Sequence, residues 1–272
     1  MRRGPGTLYR RLQSIAYLAK RDRRAALRFA FTSELAKIPI PARLGLIKRF
    51  LSITNAVRGY HTLTDMLTIA HAILARASGE GASGPSRPLV IEAGSGYGGS
   101  TAKLSLATAL AGGSLIVLDT FRGMPENDEE HELLDGRHTR FRAGAFRGTL
   151  RKVAGIVERW GAIECCRFTK GRFEDTLPHL SASPDVVVLD VDLVSSTRTC
   201  LKELWPRLRP DGVVFSLDGQ LRATHELLGD ELFWRDEIGV DPPRIEGLGR
   251  DKLLTLRPAS SSRVRIPVCL ES

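Results

Sequence analysis

The chain has 272 residues, of which 42% are hydrophobic and 26% charged, and this is enough to bury a full core in a globular protein. No apolar run approaches the roughly 18 residues of a membrane-spanning helix, and no signal-peptide pattern is evident, so we expect a cytoplasmic protein. The cysteines lack the spacing of a zinc site and are expected to be reduced thiols: Cys165, Cys166, Cys200 and Cys269.

The net charge of +9 is concentrated near the start of the chain, where residues 1–50 hold 13 lysines and arginines against two acidic residues. Residues 7–31 alternate apolar and basic side chains at helical spacing, which predicts a basic amphipathic helix. Such a helix packs on another subunit or adsorbs to an anionic membrane surface, so we expect a homo-oligomer or membrane-surface contact. Few aromatic residues accompany the basic ones, and we expect no nucleic-acid partner.

A second helical region is predicted over residues 43–77, with a break at Arg58-Gly59-Tyr60, where Tyr60 and His61 form either a lid or a packed helix corner. The stretch at 77–88 is rich in glycine and serine and has the composition of a linker. We therefore divide the chain into a basic helical cap, residues 1–80, and an α/β domain, residues 81–272.

From residue 89 onward, apolar runs alternate with helix-like segments. Strands are predicted at 89–92, 115–119, 166–169, 186–190 and 213–217, with closing edge strands at 253–256 and 264–270. Helices are predicted at about 100–111, 147–160, 196–207 and 221–234. Continuous apolar strands separated by helices indicate a mostly parallel sheet covered on both faces, and hence a Rossmann-like, doubly wound α/β fold with an N-terminal helical cap.

The first predicted strand ends in Glu92 and a glycine-rich turn, Gly94, Ser95, Gly96 and Gly98. Glycines at alternate positions let a ligand lie against bare main chain at the start of the next helix. The spacing G-x-G-x-G is followed by Gly99, so the dinucleotide pattern is formally present as well. An acidic residue before the turn suits the sulfonium and ammonium groups of S-adenosylmethionine and would repel a pyrophosphate. The turn therefore favours S-adenosylmethionine over a nicotinamide cofactor.

The other predicted strands also end in acidic residues, which a parallel sheet gathers at one edge. Asp119 ends the second strand, where a carboxylate can accept both hydroxyls of a ribose. Asp190 and Asp192 follow the fourth strand, and Asp218 follows the fifth.

Four segments in this order resemble the class I S-adenosylmethionine-dependent methyltransferases, and within them the macrocin O-methyltransferase-like enzymes. They are VIEAGSGYGGS at 90–100, LDTFRGMP at 118–125, GRFEDTLP at 171–178, and LDVDLVSST at 189–197 leading to LRPDG at 208–212. The resemblance spans about residues 88–220. It implies an enzyme that methylates a hydroxyl of a small molecule or glycosylated metabolite.

The resemblance also implies roles for single residues around the cofactor. Gly94, Gly96 and Gly98 would pass under its methionine part, with Glu92 near the amino end, and Asp119 would hold the ribose. Asp175 would lie near the adenine amine, with Phe173 stacking on the ring.

Enzymes of this family bind magnesium through the first aspartate of the fourth-strand motif and an Asp-Asp pair after the fifth strand. Asp190 and Asp218 match two of these positions, but Leu217 stands where the third aspartate would be. Either the two aspartates hold Mg²⁺, with Asp192 as a third ligand, or the chain has given up the metal.

Transfer to a hydroxyl also needs a base. Asp190 is one candidate, and His131 and His138 in the polar loop 126–139 are two others, of which His138 is preferred. Two other functions stay open at this point. The first is a relative that binds the cofactor and serves as a scaffold, which Leu217 favours. The second is a nicotinamide-dependent oxidoreductase, against which Glu92 argues.

Overall fold

The structure, a computed structural model, describes residues 22–79 and 86–259. The first part of the predicted basic helix, the thiol Cys269 and the edge strand predicted at 264–270 lie outside these ranges. Residues 22–31, the second part of the predicted basic helix, are helical and form α1.

A seven-stranded sheet forms the centre of the molecule; the apolar runs predict six of its strands but not the short edge strand at Arg244–Glu246. Its strands are β1 (Leu89–Ala93), β2 (Ser114–Asp119), β5 (Cys166–Lys170), β6 (Val186–Leu189), β7 (Val213–Ser216), β8 (Arg244–Glu246) and β9 (Leu254–Arg257). The order is β5-β2-β1-β6-β7-β9-β8. Strand β9 runs antiparallel to both of its neighbours, whereas β1, β2, β5, β6 and β7 pair in parallel. A separate ribbon pairs β3 (His131–Glu132) with β4 (His138–Thr139).

Helices cover both faces of the sheet, and each strand sends alternate side chains to the two faces. The remaining helices are α2 (Ile40–Ala56), α3 (Leu63–Ser78), α4 (Gly99–Leu110), α5 (Leu150–Trp160), α6 (Phe173–Thr176), α7 (Val194–Leu204) and α8 (Arg222–Gly229). Val90 of β1 joins the hydrophobic cluster under α2, α3 and α4, while its neighbour Ile91 joins the cluster under α7 and α8. This two-sided burial is why the strands read as unbroken apolar runs.

The second helical region is two helices with a bend between them, because α3 has its own start signal. The Thr62 hydroxyl accepts a hydrogen bond from the Asp65 amide (3.1 Å), and the Asp65 carboxylate accepts one from the Thr62 amide (2.9 Å). This capping box ends the preceding segment and starts α3. The bend brings Arg58, Tyr60 and His61 to the carboxyl edge of the sheet.

The helix predicted at 221–234 is interrupted. Helix α8 ends at Gly229, and a π-helical turn follows at Phe233–Ile238. The Asp230 carboxylate accepts a hydrogen bond from the Leu232 amide (2.9 Å), so its side chain forms the turn that separates the two segments.

None of the helices within the described ranges combines the length and hydropathy that a bilayer crossing needs. Cys165, Cys166 and Cys200 are free thiols, and Cys200 is fully buried.

Candidate active site

A cavity of about 400 Å³ opens at the carboxyl edge of the sheet, where the strand-end motifs meet. The glycine turn and Asp119 form one side of it. Asp190 and Asp192, after β6, form another. The rest of the wall comes from the bend between α2 and α3, from the loop after β2, and from Lys252 before β9. The volume lies within the range of ligand-binding pockets.

The glycine turn is held against β2 by Asp119. One oxygen of this carboxylate accepts hydrogen bonds from the Ser95 amide (2.7 Å) and the Ser95 hydroxyl (3.0 Å). The other accepts one from the Phe121 amide (2.6 Å). Gly94 has a φ of +89°, and a Cβ atom there would overlap the carbonyl oxygen of Asp190. The turn therefore requires glycine at this position, and it sets the glycine backbone directly beside the Asp190 segment.

Glu92 and Gly98 lie beneath the turn rather than on the cavity wall. Glu92 is fully buried, and neither of its carboxylate oxygens accepts a hydrogen bond of ordinary geometry. Burial raises the pKa of Glu92 to about 7, against the opposing influence of the Ser100 and Thr101 hydroxyls. Gly98, with a φ of +86°, precedes the first residue of α4. Neither residue touches the open cavity, so any influence of Glu92 on a ligand there passes through the charge of its carboxylate.

Asp190 pairs with a histidine from the helical cap. Nε2 of His61 lies 2.9 Å from Oδ2 of Asp190, and both residues line the cavity. Burial acts to raise the pKa of Asp190, but the His61 ring and the charge of Lys252 outweigh it and leave the pKa lowered. Asp190 is therefore a carboxylate held ionised on the cavity wall.

The other two strand-end aspartates, Asp192 and Asp218, have raised rather than lowered pKa values. Asp192 lines the cavity with a φ of +59°, and burial together with Asp218 and Asp190 raises its pKa to about 9. Asp218 is buried behind it, where Oδ2 accepts the Val191 and Asp192 amides, each at 3.0 Å. Burial and Asp190 raise the pKa of Asp218 to about 7.

These residues do not reproduce the magnesium site that the family resemblance implies. Leu217 is fully buried in the core, and one oxygen of Asp218 is committed to two backbone amides. Within residues 22–79 and 86–259, no group of three or more His, Cys, Asp or Glu side chains is arranged to hold a metal ion. Magnesium takes near-octahedral oxygen coordination, usually from one or two carboxylates completed by water and substrate oxygens, and Asp190 is the carboxylate held ionised at the cavity.

The outer wall of the cavity is aromatic. Tyr60 packs edge-on against Phe146, with 5.5 Å between ring centroids, and Phe146 contacts Phe141 at 5.7 Å. The guanidinium of Arg58 lies between Tyr60 and Tyr97, 5.5 Å from each ring centroid. This wall offers flat apolar surface to a ligand.

Three of the remaining predicted site residues, His131, His138 and Asp175, lie away from the cavity wall. His138 is exposed on β4, at a shallow surface depression beside the cavity. His131 is buried against Phe141, and its burial lowers its pKa. Asp175 is exposed on α6, whereas Phe173 of the same helix lines the cavity.

Several wall residues carried no local sequence signal: Arg58, Phe141, Phe146 and Lys252. The sequence offers His61 as part of either a lid or a packed helix corner, and the structure places it on the cavity wall. The charged and aromatic types of these residues could have flagged them, but their place at the site comes from tertiary packing.

Comparison with known proteins agrees with this geometry. The family model of the macrocin O-methyltransferases (TylF) matches residues 71–231, more than half of the chain. The chain belongs to this family. The match confirms the predicted family and Rossmann-like fold, and S-adenosylmethionine as the cofactor class.

One curated relative is 8-demethyl-8-(2,3-dimethoxy-alpha-L-rhamnosyl)-tetracenomycin-C 4'-O-methyltransferase of Streptomyces olivaceus. It is 34% identical over 139 residues, which are 49% of this chain and 52% of that enzyme, so the chain spans about half the length of this relative.

Solved structures of similar fold include the O-methyltransferase NovP, with a TM-score of 0.58, 19% identity, and coverage of 74% of this chain and 83% of NovP. Another is the calicheamicin methyltransferase CalS11, with a TM-score of 0.54, 20% identity, and coverage of 87% of this chain and 92% of CalS11.

Proposed function

We propose that this protein transfers the methyl group of S-adenosylmethionine to a hydroxyl of a glycosylated small molecule. The observation that carries the proposal is the cavity whose walls bring together the glycine turn, Asp119 and the Asp190–His61 pair. A cofactor lying along the turn would have its ribose at Asp119. Its sulfonium would then face Asp190, whose negative charge suits a cation.

The chemistry is an in-line displacement at the methyl carbon. The acceptor oxygen forms a bond to that carbon as the carbon–sulfur bond breaks, and the sulfonium becomes a neutral thioether. The hydroxyl proton goes to the Asp190–His61 pair. Of the two residues that the sequence favours as base, Asp190 lies on the cavity wall and His138 lies outside it, and this supports Asp190. A positioned base contributes about 10²- to 10⁴-fold to the rate.

The aromatic wall supports an acceptor with a flat apolar part. Tyr60, Phe141 and Phe146 line the same cavity as the glycine turn and Asp190 and contact one another there. The name of the Streptomyces olivaceus relative describes a rhamnosylated tetracenomycin as its acceptor. We therefore propose a glycosylated aromatic compound, with a sugar hydroxyl as the methylated group.

The test is transfer of a tritium-labelled methyl group from S-adenosylmethionine to a panel of aromatic glycosides and their aglycones. We expect labelling of glycosides only. Asp190→Asn is expected to lower kcat at least 100-fold while the affinity for S-adenosylhomocysteine stays within about threefold, and His138→Ala is expected to match the unchanged protein. If His138→Ala lost methyl transfer while Asp190→Asn kept full activity, His138 rather than Asp190 would be the residue that accepts the proton.

A scaffold that binds the cofactor without transferring a methyl group is the second candidate, favoured by Leu217 in place of an aspartate. Binding of S-adenosylhomocysteine with no labelling of any acceptor in the panel would support it. We retain the cytoplasm as the expected compartment, supported by the free thiols Cys165, Cys166 and Cys200. Oligomerisation and membrane-surface contact remain predictions that concern mainly residues outside the described ranges.

A further inference from the structure

Two side chains that can carry a positive charge lie beside the carboxylates where the family resemblance would put a divalent cation. His61 bonds Asp190, and Lys252 lines the same cavity together with Asp190 and Asp192. The charge of Lys252 acts to lower the pKa of Asp190 and opposes the burial that raises the pKa values of Asp192 and Asp218, so its ammonium lies within electrostatic reach of all three.

Lys252 is fixed at this place by contacts at both ends of the residue. Its ammonium donates a hydrogen bond to the Tyr60 carbonyl oxygen (3.0 Å), at the bend of the cap. Its own carbonyl oxygen accepts the Gly219 amide (2.9 Å). A Cβ atom at position 219 would overlap the carbonyl oxygens of Asp251 and Lys252. The glycine that follows Asp218 therefore lets the Lys252 segment pack directly over the end of β7.

Two of the carboxylate oxygens at this place already have partners within the protein. Asp190 Oδ2 faces His61, and Asp218 Oδ2 accepts two backbone amides. Asp218 Oδ1 is buried without a hydrogen-bond partner. Leu217 removes the third carboxylate and fills the core instead.

We infer that Lys252 supplies the positive charge that a divalent cation supplies in the three-carboxylate site, so that this chain transfers methyl groups without a divalent metal. The inference rests on the proposed function. The ammonium of Lys252 stabilises the charge that develops on the acceptor oxygen, from a fixed position in a partly enclosed cavity. His61 holds the Asp190 carboxylate in place through the contact between Nε2 and Oδ2.

The first test is calorimetric titration of Mn²⁺ into the full chain saturated with S-adenosylhomocysteine. We expect no saturable binding to the unchanged protein below millimolar Mn²⁺. The double variant Leu217→Asp with Lys252→Met restores a carboxylate and removes the ammonium, so it is expected to bind Mn²⁺ at least tenfold more tightly. An aspartate at the buried position 217 can prevent folding, so Lys252→Met alone is the second variant. The matched control is Lys152→Met, on the exposed face of α5.

Saturable micromolar binding of Mn²⁺ to the unchanged protein, lost in Asp190→Asn, would overturn the inference. The inference would also be overturned if Lys252→Met and the double variant bound Mn²⁺ no better than the Lys152→Met control. That result would mean that the carboxylates do not share a site with the Lys252 ammonium.

The second test is methyl transfer in the presence of EDTA. The unchanged protein and Lys152→Met are expected to keep their rate within twofold, and Lys252→Met is expected to lose at least tenfold and to recover in part with added Mg²⁺. A rate that EDTA abolishes and Mg²⁺ restores in the unchanged protein would contradict the inference. If S-adenosylhomocysteine does not bind at all, the proposed function fails, and the Mn²⁺ titration without cofactor still decides the cation site.

Discussion

Asp119 makes three hydrogen bonds within the protein at the point where we propose the cofactor ribose to lie. Asp119→Asn removes its charge and weakens its hold on Ser95 and Phe121. Because hydrogen bonds to charged groups contribute about 1.5–3 kcal/mol, we expect the Kd for S-adenosylhomocysteine to rise at least tenfold. Calorimetry measures this, with the exposed Asp128→Asn as control. Unchanged affinity in Asp119→Asn would refute the ribose assignment.

Glu92 gives the ligand-free protein a specific dependence on pH. Its pKa is raised from 4.5 to about 7 in the folded protein, so the folded state binds more protons than the unfolded chain between these values. Stability therefore falls as pH rises from about 4.5 to about 7, by about 3 kcal/mol for such a shift. Glu92→Gln lacks this titration.

Urea unfolding of both proteins at pH 5 and pH 8 tests the Glu92 prediction. We expect similar free energies of unfolding at pH 5 and a more stable Glu92→Gln protein at pH 8. Other titrating groups, such as Asp218, are common to both proteins and cancel in the difference. Equal pH dependence in the two proteins would show that Glu92 is not buried as a neutral acid.

At the scale of elements, a buried ion pair ties α3 to the amino edge of the sheet. Arg76 donates to the Asp185 carboxylate at 2.7 Å and 3.1 Å, and it also pairs with Asp211. Asp185 is fully buried and accepts the Leu89 amide (2.8 Å) at the start of β1. One carboxylate thus joins the cap, β1 and β6.

Asp185→Asn leaves the Arg76 charge buried with a weakened set of partners. Breaking a buried pair costs about 3–5 kcal/mol, and since Asp211 remains we expect a loss near the lower end of that range. Denaturant unfolding measures it. The control is Asp135→Asn, in an exposed pair with Arg137, for which we expect no measurable change. A stability loss as small as that of the control would mean that the Arg76–Asp185 ion pair contributes little to the free energy of unfolding.

The elements themselves were largely predictable, and the exceptions have local causes. Strands β1, β2, β6 and β7 are buried on both faces, so their apolar runs are unambiguous in the sequence. The split of the segment 221–234 depends on the side chain of Asp230, whose turn competes with helix continuation. The ribbon of β3 and β4 has two residues per strand, too few for a period to appear.

At the scale of the whole molecule, the cap and the sheet share one hydrophobic cluster. Phe29, Phe50 and Ile73 are buried in the same cluster as Val90 and Val186. The division into a cap of residues 1–80 and a domain of residues 81–272 remains a proposal, and we expect the two parts to unfold together.

Tryptophan fluorescence comes from Trp160, Trp205 and Trp234, which all lie in the second part, and Trp205 and Trp234 pack in the cluster under α7 and α8, whereas far-ultraviolet circular dichroism also reports on the helices of the cap. We predict coincident transitions in urea for the two signals. An earlier loss of helix than of fluorescence would show a cap that unfolds independently.

The cavity shows where prediction from sequence ends. Asp119, Asp190 and Asp192 could be placed at one edge because each follows a parallel strand, and strand ends meet there whatever the loops do. Asp218 follows the same rule but lies behind the wall, because its carboxylate accepts two backbone amides. His61 and Lys252 reach the site from the cap and from the turn before β9. Nothing in their local pattern encodes that approach, which depends on how the two segments pack.

The central claim is tested most directly by calorimetric titration of S-adenosylhomocysteine into the full chain, with NAD as the competing cofactor class. The glycine turn with Glu92 beneath it and Asp119 beside it predicts micromolar binding of S-adenosylhomocysteine and no binding of NAD. Binding of NAD instead, or no binding of S-adenosylhomocysteine to protein that circular dichroism shows to be folded, would contradict the account.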